Sequence, residues 1–145
     1  MGWTASGMMR TTQLGQWNSS ALGLDLTASP KLAFFGSSVT PNFATDTAYG
    51  TSPWNSGEAS GAGYTAGGPS PANVTLTIVS SQLVLDADNT QLTNSTITAE
   101  GALWYYPAKS NRALLAVWFG AAKTTQDGTF LITWASGGVA AFTIP

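Results

Sequence analysis

From Asn73 to Pro145 the chain is a succession of short apolar runs broken at intervals of roughly 8 to 12 residues by turn residues, and that rhythm admits little besides antiparallel sheet. In Val74-Thr75-Leu76-Thr77-Ile78 apolar residues alternate with threonine, which assigns Val74, Leu76 and Ile78 to a core face and the hydroxyls to the outside. Ser80 and Ser81 turn the chain into Gln82-Leu83-Val84-Leu85-Asp86. Ile97 through Tyr106, Leu114 through Phe119, Thr129 through Trp134 and Val139 through Ile144 follow, separated by Pro107 to Asn111, Asp127-Gly128 and Gly137-Gly138. The run Leu114 to Phe119 is apolar on both faces, as a central strand or a buried helix would be. Lys31 to Gly36 adds a further strand, and Leu22-Gly23-Leu24-Asp25-Leu26 alternates as a short one would. The class expected is all-β, an antiparallel β-sandwich of seven or eight strands.

Two regions stand outside this rhythm. In residues 1–29 the apolar side chains, among them Trp3, Met8, Met9 and Trp17, are spaced without a period, so the segment is expected to be an extended N-terminal arm preceding a single domain of residues 30–145. Trp3, Met8, Met9 and Trp17 are its candidate anchors at a protein interface, where tryptophan often dominates binding. The second region, Pro41 to Pro71, is a long loop punctuated by Pro41, Pro53, Pro69, Pro71 and a run of glycines. Its aromatics Phe43, Tyr49, Trp54 and Tyr64 argue for ordered packing, and Thr45 to Tyr49 fits a single helical turn capped by Thr45.

A chain of 145 residues suffices for one self-sustaining core, burying roughly 70% of its unfolded surface. The sequence has no cysteine and no histidine, which removes disulfides, thiolate chemistry, the commonest metal ligand and every Ser-His-Asp arrangement. Charged residues make up 8% of the chain against roughly 25% in ordinary soluble domains, with Thr, Ser, Gly and Asn in their place. Neutral hydroxyls and amides lose water more cheaply than ions, so such a surface is suited to being covered. The five cations are scattered and the net charge is -2, which speaks against nucleic acid as a partner. No apolar run reaches the ~20 residues of a membrane span, and no secretory signal is visible at Met1.

The remaining constellations read as structure. The glycine-rich loop lacks the Gly-Lys-Ser/Thr ending of a phosphate loop; its glycines, Gly63, Gly67 and Gly68 among them, are expected to take positive φ or to admit close backbone approach around Tyr64. Asp86, Asp88 and Asn89 start like a calcium loop, but its sixth and twelfth positions are not filled, and a turn explains them. Glu58 and Glu100 are the only glutamates, with no spacing that marks a glycosidase pair; Glu58 is expected to accept backbone N–H bonds. In Trp104-Tyr105-Tyr106, Tyr105 must face away from its neighbours, and Trp118 and Trp134 read as core. No enzymatic activity, cofactor or metal is expected.

Ser60-Gly61-Ala62-Gly63-Tyr64-Thr65-Ala66-Gly67-Gly68, followed by Asn94-Ser95-Thr96-Ile97-Thr98-Ala99, resembles a pattern of small virion structural proteins of tailed bacteriophages. The resemblance runs from about Trp17 to the C-terminus. It implies a head decoration, minor capsid or fibre-like protein, made in the host bacterial cytoplasm and carried on the capsid exterior. Its implied partners are the phage major capsid protein and further copies of itself, as in a trimer on a capsid symmetry axis. The alternative is a tail- or fibre-associated module that binds a glycan or receptor through Trp104 and Tyr106. Under the first reading, removal of Met1 to Gln16 is expected to leave a folded domain that no longer stays on particles.

Overall fold

Alternation along one strand organises the molecule. In β6 (Thr98–Tyr106) Ala102, Trp104 and Tyr106 point to one side and Leu103 and Tyr105 to the other, and both sides are buried. β6 therefore sits inside a sheet that needs covering on both faces. The computed structural model describes residues 2–18 and 22–143. The other strands among them are β1 (Gly7–Met8), β2 (Lys31–Phe35), β3 (Thr75–Val79), β4 (Gln82–Asp86), β5 (Thr90–Ser95), β7 (Arg112–Thr124), β8 (Gly128–Ile132) and β9 (Ala140–Thr143). One helix, α1, spans Arg10–Asn18.

All strand pairs are antiparallel, in sheets of order β1-β7-β6-β2, β3-β4-β9 and β5-β8. The expected all-β, sandwich-like class holds. One face of the four-stranded sheet, with Leu32, Phe34, Trp104 and Leu115, packs on Leu85 of β4 and on Phe130 and Ile132 of β8. The opposite face, with Ala33, Phe35, Leu103 and Tyr105, has no sheet over it. Trp3 and Met9 from the N-terminal segment, with Val39 and Trp54 from the long loop, cover it instead.

The N-terminal segment is thus not the extended arm that its lack of period implied. Its apolar residues are irregularly spaced because they belong to three short elements that pack on the domain separately. Trp3 lies across Gly101 of β6, where an added Cβ would come within 2.7 Å of the ring. Met8 pairs with Leu115 in the β1–β7 ladder, and the Met9 N–H donates to the Leu114 carbonyl at 2.8 Å. That carbonyl is available because Trp104 opposes Leu115 while Tyr105 opposes Ala113, which leaves Leu114 as the extra residue of a β-bulge. α1 is held to β7 by Arg112, whose guanidinium donates to the Thr12 hydroxyl at 3.0 Å and the Thr11 carbonyl at 2.9 Å. Removing residues through Gln16 would take Trp3 and Met9 from one core face, so the truncated domain is expected to lose stability.

Further corrections are local. Leu22 to Leu26 is not a strand: the Gln16 side chain clasps Leu24 instead, donating to its carbonyl at 2.9 Å and accepting its N–H at 3.0 Å. Thr45 to Tyr49 holds no helical turn, because the turn starts at Asn42, whose carbonyl accepts the N–H groups of Thr45 and Asp46. Asn94 takes φ 49°, and the chain passes from β5 to β6 through Thr96 and Ile97, so the strand expected from Ile97 begins at Thr98. β8 stops before Trp134, and Trp134 and Trp118 are half-buried. Ile78, assigned to the core by alternation, is 81% exposed. Ile144, the expected end of the last strand, lies outside the described residues.

Candidate functional site

The loop residues named from sequence converge on Glu58. One of its carboxylate oxygens accepts the Tyr64 hydroxyl at 2.7 Å and the Gly67 N–H at 2.6 Å; the other accepts the Tyr49 hydroxyl at 2.8 Å. Tyr64 in turn accepts the Phe34 N–H at 3.0 Å and stacks on the Phe34 ring. Tyr49 stacks on Tyr105, whose hydroxyl donates to the Gly67 carbonyl. The backbone N–H expected at Glu58 is present, and the two tyrosine hydroxyls are additional. A signal for them existed, because a buried tyrosine needs a partner for its hydroxyl.

Glycine permits this approach. At Gly68, with φ 76°, a Cβ would stand 1.9 Å from the Leu32 carbonyl oxygen, and at Gly63, with φ 74°, 2.9 Å from that of Asn94. The loop thereby caps the edge of β2: the Leu32 N–H reaches Pro69, and the Ala59 N–H reaches Phe34. Burial pushes all four tyrosine hydroxyls upward, that of Tyr105 to about 12, with Glu58 adding to the effect at Tyr49, Tyr64 and Tyr105. The Tyr49 and Tyr64 hydroxyls stay neutral donors to the Glu58 carboxylate, and those of Tyr105 and Tyr106 to the Gly67 and Leu26 carbonyls. Chemically the cluster is a clasp.

The aromatic run proposed for sugar stacking is also internal. Trp104, Tyr105 and Tyr106 are all buried, with the Trp104 indole N–H on the Tyr106 hydroxyl and that hydroxyl on the Leu26 carbonyl. No stacking platform exists there. Asp86, Asp88 and Asn89 hold the connection from β4 to β5, accepting from the Ala87 N–H, the Asn73 amide and the Trp134 N–H. Among the described residues no three His, Cys, Asp or Glu side chains gather as metal ligands.

What the molecule leaves open lies elsewhere. Between α1, the Leu24 to Leu26 segment and the β3-β4-β9 sheet runs a groove of about 650 Å³, walled by Met8, Trp17, Leu76, Leu83, Leu114 and Phe142. Two of the four predicted anchors stand on it. Met8 is half-buried in its floor, and Trp17 is 80% exposed at its rim. The other two, Trp3 and Met9, are core residues: Trp3 donates its indole N–H to the Gly36 carbonyl at 3.0 Å and meets Trp54 edge to face. Trp3 and Met9 therefore cannot reach a partner while the domain is folded. Among the described residues Asp25 is the one ionisable side chain lining the groove, and the Thr27 hydroxyl and N–H hold it below the ordinary carboxylate range.

Beyond the groove, the β3–β4 hairpin carries Ile78 and Val79 into solvent. Sequence reasoning missed this surface, because alternation tells which face a side chain takes and not how far the covering layer extends. Compared with family models, with curated proteins and with solved structures, the chain matches none of them.

Proposed function

We propose that this protein is a structural component of a tailed-phage virion. In this reading it is a decoration or minor capsid protein that binds major capsid subunits on the head exterior and stabilises their contacts. The observation that carries the reading is the pairing of a nearly uncharged surface with an open apolar groove whose rim holds Trp17 in solvent. Covering such a groove releases water from apolar area without stripping ions, which suits attachment by contact alone. The sequence resemblance gives the attachment its setting. A shallow contact of this kind is weak for one copy and strong for many arranged on a lattice.

The test is a copy count. Quantitative mass spectrometry of purified particles of the phage that encodes the chain is expected to find it in hundreds of copies, released by particles assembled with Trp17→Ala. A handful of copies would overturn the decoration role. The alternative reading, a glycan- or receptor-binding module on a tail or fibre, now falls to Trp17, the one exposed tryptophan of the six. A low count together with glycan binding lost in Trp17→Ala would favour it.

A further inference from the structure

Among the described residues β3 is the end strand of its sheet and bonds only to β4. Val79 and Gln82 are register partners across Ser80 and Ser81, which both have positive φ, so the hairpin closes through a two-residue type I′ turn. The residues flanking such a turn exchange both ladder bonds, and bonded and non-bonded pairs alternate from there. Thr75, Thr77 and Val79 therefore bond to β4, while the N–H and C=O groups of Leu76 and Ile78 point away from it.

Proteins usually blunt such an edge with Lys, Pro, a bulge or a covering segment. The edge of β2 is covered by the glycine-rich loop. Among the described residues β3 has none of these devices. Residues 73–85 contain no charge and no proline, and the β3–β4 register runs without a shift. The exposed apolar residues Ile78 and Val79 lie on that same strand.

We propose that β3 pairs antiparallel with β3 of a second copy, with Thr77 on the two-fold axis. An isologous contact requires a self-complementary surface, and β3 is one. In this register Leu76 opposes Ile78 of the partner subunit, and each such pair exchanges both outward N–H···O=C bonds. Thr77 opposes its own counterpart, and Thr75 opposes Val79 of the partner subunit, so the bonded pairs set apolar against apolar, threonine meets threonine or valine elsewhere, and no charge is buried. The two three-stranded sheets join into one of six strands. Two five-residue edges bury less than the ~1,200 Å² of a standard interface, so the contact is weak in dilute solution and strengthened wherever copies are crowded. The pairing depends on the hairpin alone, not on where the protein acts.

Thr77 is exposed, and in β3 it alone meets itself, so charge placed there tests the register without disturbing the core. Sedimentation equilibrium of the wild type is expected to show a monomer–dimer equilibrium. Thr77→Lys and Thr77→Glu, each with wild-type circular dichroism, should each weaken it by about tenfold or more, because like charges then stand directly opposite. An equimolar mixture of the two variants should regain dimer, and Leu131→Lys, exposed on β8, should dimerise as the wild type does. A wild type that stays monomeric up to about 1 mM overturns self-pairing and leaves the edge to a strand of another protein. A dimer indifferent to Thr77→Lys, or a mixture that associates no better than either variant alone, overturns it equally.

Discussion

The two outer flanks of the molecule are built from similar residues and end differently. On one, Trp3, Trp54 and Tyr49 close over the central sheet, Glu58 knits the covering loop together through two hydroxyls and an N–H, and the Tyr64 and Tyr105 hydroxyls join that loop to the sheet. On the other, Met8, Leu76, Leu83 and Phe142 line a groove, and Trp17, Ile78 and Val79 remain in solvent. Both flanks are apolar and poor in charge. The difference is that, among the described residues, two chain segments close over the first, whereas α1 and Leu24 to Leu26 flank the second without closing it, so openness here comes from topology rather than residue type. The closed flank is accordingly occupied by the protein's own side chains, and the open one leaves apolar area in solvent.

The sharpest way to break this contrast is at Gly68. A methyl group there meets the Leu32 carbonyl in a left-handed backbone conformation, so Gly68→Ala is expected to cost at least about 3 kcal/mol in urea denaturation. A loss below 1 kcal/mol would show that the loop is not clamped to β2. Next in size is Glu58→Ala, which leaves two hydroxyls and an N–H without their acceptor, at about 1–3 kcal/mol for each group that water cannot reach. Glu58→Gln should recover part of that loss, since its carbonyl still accepts.

The tyrosines give a pH signature. Each has a folded-state value raised by burial, so its contribution to stability is intact below its ordinary value near 10 and is lost as pH climbs through the folded value, about 12 for Tyr105. Stability should be flat to about pH 10 and fall steeply above it, with phenolate absorbance appearing only as the protein unfolds. Phenolate that forms in the folded protein at pH 10 would place the tyrosines in solvent. The smallest effect belongs to the open flank: Trp17→Ala and Ile78→Ser should change stability by no more than about 0.5 kcal/mol, as exposed positions do. A larger loss from either would mean that the flank is already packed.

What was legible in the sequence follows the same division. Strands whose partners are close in sequence, such as Val74 to Ile78 with Gln82 to Asp86, show in the alternation itself, and Ser80-Ser81 mark their turn. The 41–71 loop was readable as ordered because its aromatics needed somewhere to pack. α1 was not readable, since Thr12 is its only buried residue and no apolar stripe marks it. β5 was hidden for a similar reason, with Thr90 and Ser95 its only fully buried members. The burial of Trp3 depends on Gly101, nearly a hundred positions away, and no local pattern carries that information. Half of the candidate anchors, Trp3 and Met9, are core residues for reasons of this long-range kind.

Hydroxyl-radical footprinting read by mass spectrometry, comparing the free protein with purified particles, tests the central claim most directly. Trp17, Ile78 and Val79 should oxidise readily in the free protein and become protected on the particle, while Trp3, Trp54 and Tyr105 stay protected in both. Equal oxidation of Trp17 and the β3–β4 hairpin in the two states would contradict the assignment of the open flank to assembly.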